Sequence, residues 1–247
     1  MKPNILALVP ARGGSKSIPR KNLLLIAGKP LLAYSIEQAL SSKHITRTIV
    51  STDDQEIADV ARQFSAEVPF MRPAEFAQDL STDLDVFRHA LEWLRERENY
   101  QPELVVHLRP TGPVRKVKLI DRAIEILLTN QQADSLRSVS LALQTPYKMW
   151  QIIDDTLKPI LSLDDVAEPY SLPRQQLPKV YWQNGYVDIV RPRVVLEKGS
   201  MSGDDILPFV VNEPMLEIDH EDDVAKVEEA LLKLDEPEGE TPARYSV

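Results

Sequence analysis

The chain has 247 residues, no cysteine and a formal net charge of −9. That length is enough for one large domain or one domain with an insertion. The acidic balance argues against nucleic acid and anionic membranes as partners, and the missing cysteines exclude disulfides, thiolate metal sites and thiol nucleophiles.

Asn4–Val9 is a short apolar run stopped by Pro10, the pattern of a buried strand and too short for a signal peptide or a membrane span. Pro30 opens a helix with Leu32, Ile36 and Leu40 on one face. Thr48–Ser51 is expected as a second strand, and Ile57, Val60, Ala61 and Phe64 follow at helical spacing. Glu67–Met71 is expected as a short third strand. Thr82 with Asp85 forms a variant capping box, and Leu84, Phe87, Leu91 and Leu94 continue that helix. Leu104–Leu108 is a further strand, Val117, Ile120, Ile124 and Leu127 a further helix, and Ala133–Ser140 one more strand.

Prolines at 146, 159, 169, 173 and 178 interrupt residues 141–185, which are expected to be an inserted arm reaching over the site or toward a partner subunit. Strand pattern resumes at Gly185–Val190, with another strand expected in Val210–Ile218. Val224, Val227, Leu231 and Leu234 mark a last helix, and residues 235–247 are expected as a flexible tail. Alternating strands and helices predict an α/β fold, Rossmann-like, with a mostly parallel sheet covered on both faces and residues 1–234 as one domain. In such sheets ligands bind beyond the carboxyl ends of the strands. Here those ends carry Arg12–Lys21, Thr52–Asp54 and Arg109–Arg115, all polar or basic.

The first of these loops is the most informative. Gly13 and Gly14 let backbone N–H groups approach an anion, Ser15 and Ser17 add hydroxyls, and Arg12, Lys16, Arg20 and Lys21 add four positive charges in an acidic chain. A triphosphate requires that combination, although the spacing is not that of a Walker A loop. Near the other end, Leu216-Glu-Ile-Asp-His-Glu-Asp-Asp223 places Glu217 and Asp219 at alternate positions. Two readings stand for this acidic segment. Paired carboxylates suit a hard divalent cation, and Asp219 with Asp222 suits the N-cap and N3 of the last helix. His44, His89, His107 and His220 show no ligand spacing and receive no role.

Ala11-Arg-Gly-Gly-Ser-Lys-Ser-Ile-Pro-Arg-Lys-Asn22 and Gly28-Lys-Pro-Leu-Leu-Ala-Tyr-Ser-Ile36 resemble the N-terminal signature of the acylneuraminate cytidylyltransferases, with Ser17 where that family usually has glycine. Further stretches resemble the same family: Ile49–Asp53, Met71–Asp79, Leu108–Arg115, Arg174–Pro178 and Asn184-Gly185. The resemblance implies direct condensation of CTP with a 2-keto-3-deoxy sugar acid, giving a CMP-sugar and pyrophosphate. It implies Arg12, Gly13, Gly14, Ser15, Lys21 and Asn22 at the phosphates, and Arg72, Asp79 and Thr82 at the nucleoside. It implies Mg²⁺ on Asp219, with Glu217 standing where the family carries aspartate. For the acceptor it points to Arg109, Lys148, Arg174, Asn184 and Asp188, of which Arg109 and Asp188 depart from the family's usual glutamine and aromatic residue. A cytoplasmic homodimer is implied as well. A nucleotidyltransferase for another base or a sugar 1-phosphate, and a nucleotide-binding regulatory module without turnover, stay open as alternatives.

Overall fold

A computed structural model describes residues 3–234; the expected tail, 235–247, lies outside the described residues. Six strands form the main sheet. In chain order they are β1 (Ile5–Pro10), β4 (Arg47–Ser51), β5 (Leu104–His107), β6 (Ser135–Leu141), β9 (Tyr181–Val190) and β10 (Ile206–Val210). Two short hairpins lie outside this sheet, β2 (Leu25–Ile26) with β3 (Lys29–Pro30), and β7 (Trp150–Ile153) with β8 (Thr156–Pro159). The sheet order is β10-β6-β9-β5-β1-β4, and β9 alone runs against the others.

The alternation of β1 explains both cores. Ile5, Ala7 and Val9 face one side and Leu6 and Leu8 the other, all fully buried. The first side packs under α1 (Leu31–Leu40), α2 (Gln55–Gln63) and α4 (Val117–Thr129). The second packs under α3 (Asp83–Glu98) and the short α5 (Pro192–Leu196). A separate cluster joins Ile18, Ile26, Leu31 and Ile218 to Val227 and Leu231 of α6 (Asp223–Leu234). It fastens the basic loop to the acidic segment by burying apolar surface from both.

Several sequence expectations shift. Glu67–Met71 is not a strand: only Glu67 bridges to Ile49, because the chain leaves the sheet edge at once to pack Phe70 against α3. The last strand lies earlier than expected, at β10, and Leu216–Ile218 runs outside the sheet, with the Ile218 amide bound to the Thr111 carbonyl at 2.8 Å. Leu40 ends α1 exposed, and Ala39 takes the buried position. Strand β9 begins at Tyr181, not Gly185, and pairs Tyr181 with Leu141 at the end of β6. The inserted arm therefore stands on a paired two-strand stem. Its β7–β8 hairpin is exposed and carries Trp150, Ile152, Ile153 and Leu157 on its surface.

Candidate functional site

The chain runs outward from β1 to β4 on one side and then crosses to β5 on the other. The switch point therefore lies at the carboxyl ends of β1 and β5, where α/β sheets bind ligands. A cavity of ≈ 460 Å³ opens there. Its wall includes Arg12, Ser15 and Lys21 from the loop after β1, Arg72 and Thr82 beyond β4, and Arg109 after β5. Two of the three loops picked out in the sequence, Arg12–Lys21 and Arg109–Arg115, contribute to this wall, and Thr52–Asp54 backs the first of them, with Asp53 bound to the Gly13 amide.

The basic loop is held by its own residues. The Gly13 amide donates to Asp53 Oδ1 at 3.0 Å, and a Cβ on Gly13 would come within 2.9 Å of Asp54. Only glycine permits that approach. Asn22 Nδ2 donates to the Arg12 carbonyl at 2.9 Å, bracing the two ends of the loop. Asp54 caps α2 through the Ile57 amide and also pairs with Arg20. Lys21 is buried and spans to the acidic segment, donating to the Ile218 carbonyl at 2.8 Å and to Asp219 Oδ1 at 3.2 Å. Gly14 is open to solvent.

Across the cavity, Asp79 takes Lys16 at 2.7 Å and Arg12 at 3.3 Å. The bond from Lys16 holds the Asp79 carboxyl below its ordinary range, with Arg12 adding to the effect. Arg72 is buried and donates to Ser51 Oγ at 3.1 Å, which ties the 72–82 segment to the end of β4. Burial pushes its pKa down to about 10. Thr82 caps α3 in the expected box with Asp85, which contributes about 1 kcal/mol.

Arg115, the last residue of the basic loop after β5, is buried. Its guanidinium donates to the Tyr186 carbonyl at 2.6 Å, the Arg109 carbonyl at 2.7 Å and Ser35 Oγ at 3.2 Å, so it shapes the loop after β5. Burial lowers its pKa to about 10. His107, given no role in sequence, lines the same cavity as a buried ring packed on Phe87. Burial first, and then the charges of Arg109, Arg137 and Arg115, hold its pKa well below the ordinary value, so it is neutral.

A second cavity, of ≈ 390 Å³, is lined by Arg109, Trp182, Gln183, Asn184, Gly185 and Glu217. Arg109 belongs to both cavities. Asn184 is buried, donating to Ser140 Oγ at 2.8 Å and accepting from the Tyr186 amide, and it sets up the left-handed Gly185 at φ +66°. A side chain at Gly185 would be strained and would crowd Arg109. Asp188, expected at the sugar, is enclosed and lines neither cavity; it meets the cavity wall through Arg109 and Gln183. Lys148 and Arg174 stay on the arm and line neither cavity; Arg174 is engaged with the Ala142 carbonyl at 2.7 Å.

Glu217 and Asp219 lie close enough to interact. Partial desolvation first, and then the charge of Asp219, raise the Glu217 carboxyl above its ordinary range. The expected Asp219–Asp222 cap is replaced by Asp223, whose Oδ2 accepts from the amides of Asp219 and His220 at 3.1 and 2.9 Å. Both Asp219 side-chain oxygens are therefore released from capping.

Known proteins match the chain in sequence and in fold. A sequence model of the cytidylyltransferase family covers residues 6–166. The CMP-N,N'-diacetyllegionaminic acid synthase of Legionella pneumophila is 35% identical over 215 residues, spanning 84% of this chain and 87% of that one. The pseudaminic acid cytidylyltransferase of Campylobacter jejuni is 39% identical over 126 residues, 51% of this chain and 54% of that one. Among solved structures, a CMP:2-keto-3-deoxy-manno-octonic acid synthetase complexed with CTP has the same fold, with a TM-score of 0.69 at 15% identity over 94% of this chain and 99% of that one. The family match runs through all three loops at the sheet edge, and the chain belongs to the cytidylyltransferase family of nucleotidyltransferase enzymes.

Proposed function

We propose that the chain condenses CTP with a 2-keto-3-deoxy sugar acid of the nonulosonic type, forming a CMP-sugar and releasing pyrophosphate. The observation that carries this reading is the pair of cavities meeting at Arg109, one walled by the basic loop and the other by Asn184, Gly185 and Glu217. The names of the relatives, which act on legionaminic and pseudaminic acids, support the acceptor class.

In this reading CTP occupies the cavity at the switch point. Arg12 and Lys21 neutralise the triphosphate and the departing pyrophosphate. Gly14 and Ser15 supply N–H and hydroxyl donors, Gly13, whose own amide is bound to Asp53, lets the loop pack close, and Asn22 keeps the loop shaped. Arg72, Asp79 and Thr82 border the nucleoside end. The anomeric hydroxyl of the acid enters from the second cavity and attacks the α-phosphorus in line. Arg109 receives the acid's charge at the junction, Asn184 frames that cavity, and Lys148 and Arg174 act only if the arm closes.

The acidic segment fits Mg²⁺. Glu217 and Asp219 crowd each other's charge, and no cluster of three or more acidic or histidine ligands occurs among the described residues. Two carboxylates leave the remaining positions to phosphate and water oxygens, the way Mg²⁺ is usually held. When bound, the ion supplies Lewis-acid polarisation of phosphate oxygens. The exposed apolar hairpin β7–β8 supports a homodimer, and the cysteine-free composition suits a cytoplasmic setting. No helix among the described residues is long and apolar enough to cross a membrane.

The test is pyrophosphate release from CTP with a panel of nonulosonic acids, run beside other nucleoside triphosphates with sugar 1-phosphates. Release with CTP and an acid supports the reading. Release only with a sugar 1-phosphate or another base, or CTP binding without any release, overturns it. Sedimentation of the full chain tests the dimer.

A further inference from the structure

Asp188 is unusual for a carboxylate beside an anion site, because it has almost no access to solvent. Its side chain is 2% exposed. Strand register brings it opposite His107 of β5 on one side and opposite Arg137 of β6 on the other. A single oxygen, Oδ2, accepts from Arg109 at 2.8 Å and from Gln183 at 3.3 Å, and forms an ion pair with Arg137 at 2.9 Å. Arg137 is anchored from behind by Ser202 Oγ at 2.9 Å and by the Met201 carbonyl. Arg109 is held at its other amino group by Asp83 at 3.3 Å and keeps a quarter of its side chain exposed at the junction of the two cavities.

The charges are informative. Arg109 and Arg137 bring two positive charges, and Asp188 one negative. His107, packed beside them, is neutral and adds none. Within the set of Arg109, Arg137 and Asp188 the positive charge exceeds the negative by one, and Arg109 is the member of that set that lines both cavities. Asp83 lies at the rim with 44% of its side chain exposed, where water screens it. A fixed, partly desolvated guanidinium with one surplus charge matches one carboxylate.

We propose that Asp188 is a positioning residue which, braced by Arg137, aims Arg109 at the carboxylate of the acceptor. This rests on the acceptor class proposed above. Asp188 itself does not touch the sugar. Its influence passes through Arg109, so it acts on acceptor binding and leaves the nucleotide half of the site alone.

The experiment compares the intact wild-type chain with Asp188→Asn, Arg137→Met, Arg109→Gln and the Asp188→Asn/Arg109→Gln double variant. Loss of an aligned charge-assisted hydrogen bond predicts that Asp188→Asn raises KM for the sugar acid about tenfold or more, with KM for CTP changed less than about twofold. Arg137→Met should move the same constant in the same direction. The double variant should be no worse than Arg109→Gln alone, since the aim of a missing guanidinium is irrelevant. Asp188→Glu tests rescue if the asparagine variant folds poorly. Equal rises in both KM values, or additive effects in the double variant, would overturn the proposal. A wild type that turns over no acid would refute the acceptor reading itself. The double-variant cycle repeated on denaturation midpoints then decides the positioning role separately, and absence of Arg109–Asp188 coupling there overturns it as well.

Discussion

Lys21 joins two segments that lie 198 residues apart, and its replacement by methionine isolates what the charge does. Methionine keeps most of the buried stem and removes only the ammonium group. The Ile218 carbonyl then loses its donor at 2.8 Å in a buried setting, which costs about 1–3 kcal/mol. The Asp219 contact adds little, because that carboxylate is 60% exposed. For a chain of this size each kcal/mol lowers the melting temperature by about 2–4 °C. The effect on chemistry should be larger. Removing a cation aimed at developing charge costs about 2.7–4 kcal/mol, or a factor of about 10²–10³ in kcat. The assay is pyrophosphate release at saturating CTP and acid, beside a thermal melt of the same preparation. Turnover should fall at least about tenfold. A melt lowered by several degrees with kcat held within about threefold would refute the reasoning and leave Lys21 as a structural pin.

Three further outcomes follow from the same geometry. The Glu217 carboxyl is raised above its ordinary value of 4.5, so the folded state binds its proton more tightly than the unfolded state does. Stability from this group is therefore lost as pH rises through 4.5 toward the raised value. Melting temperatures should show Glu217→Gln gaining on the wild type between pH 4 and pH 7, while Mg²⁺ with CTP stabilises the variant less. Arg115→Met strands the buried carbonyls of Tyr186 and Arg109. It should cost about 3 kcal/mol or more by denaturant unfolding, and an unchanged midpoint would contradict that account. Asp79 occupies the cations Arg12 and Lys16 that a triphosphate would need. Asp79→Asn should lower the Kd for CTP by up to about fivefold in calorimetry, the range of an exposed ion pair; a raised Kd would show instead that the Asp79 carboxylate itself accepts hydrogen bonds from the nucleotide.

Most of the fold was legible because its signals are local. The apolar run of β1, the Thr82–Asp85 capping box and the helical stripe of α4 each depend on residues a few positions apart. The errors fall where tertiary contacts decide. Glu67–Met71 has strand composition, but the chain leaves β4 after one bridge to bury Phe70. A strand is expected in Val210–Ile218, but β10 ends at Val210 and the rest crosses to the Thr111 loop. The acidic run before α6 has several equivalent caps on paper, and geometry selects Asp223.

The site was legible to the extent that its residues share a loop. Arg12 to Asn22 sit in one motif, and the structure gathers them with Arg72, Thr82 and Arg109 at one cavity. His107 and Arg137 carry no motif, and each owes its place to strand register or burial, while Arg115 closes the Leu108–Arg115 stretch but shows its buried role only in the fold. Arg137 reads as an ordinary charge in β6 until the β6–β9 pairing sets it opposite Asp188. One periodic clue existed. Val105 and His107 are alternate residues of β5, and Val105 faces the α3 core, so the imidazole had to enter that core beside Phe87. A histidine forced into a neutral, buried position at a strand's carboxyl end marks the edge where ligands bind, and Arg109, two residues further along, bridges the two cavities there.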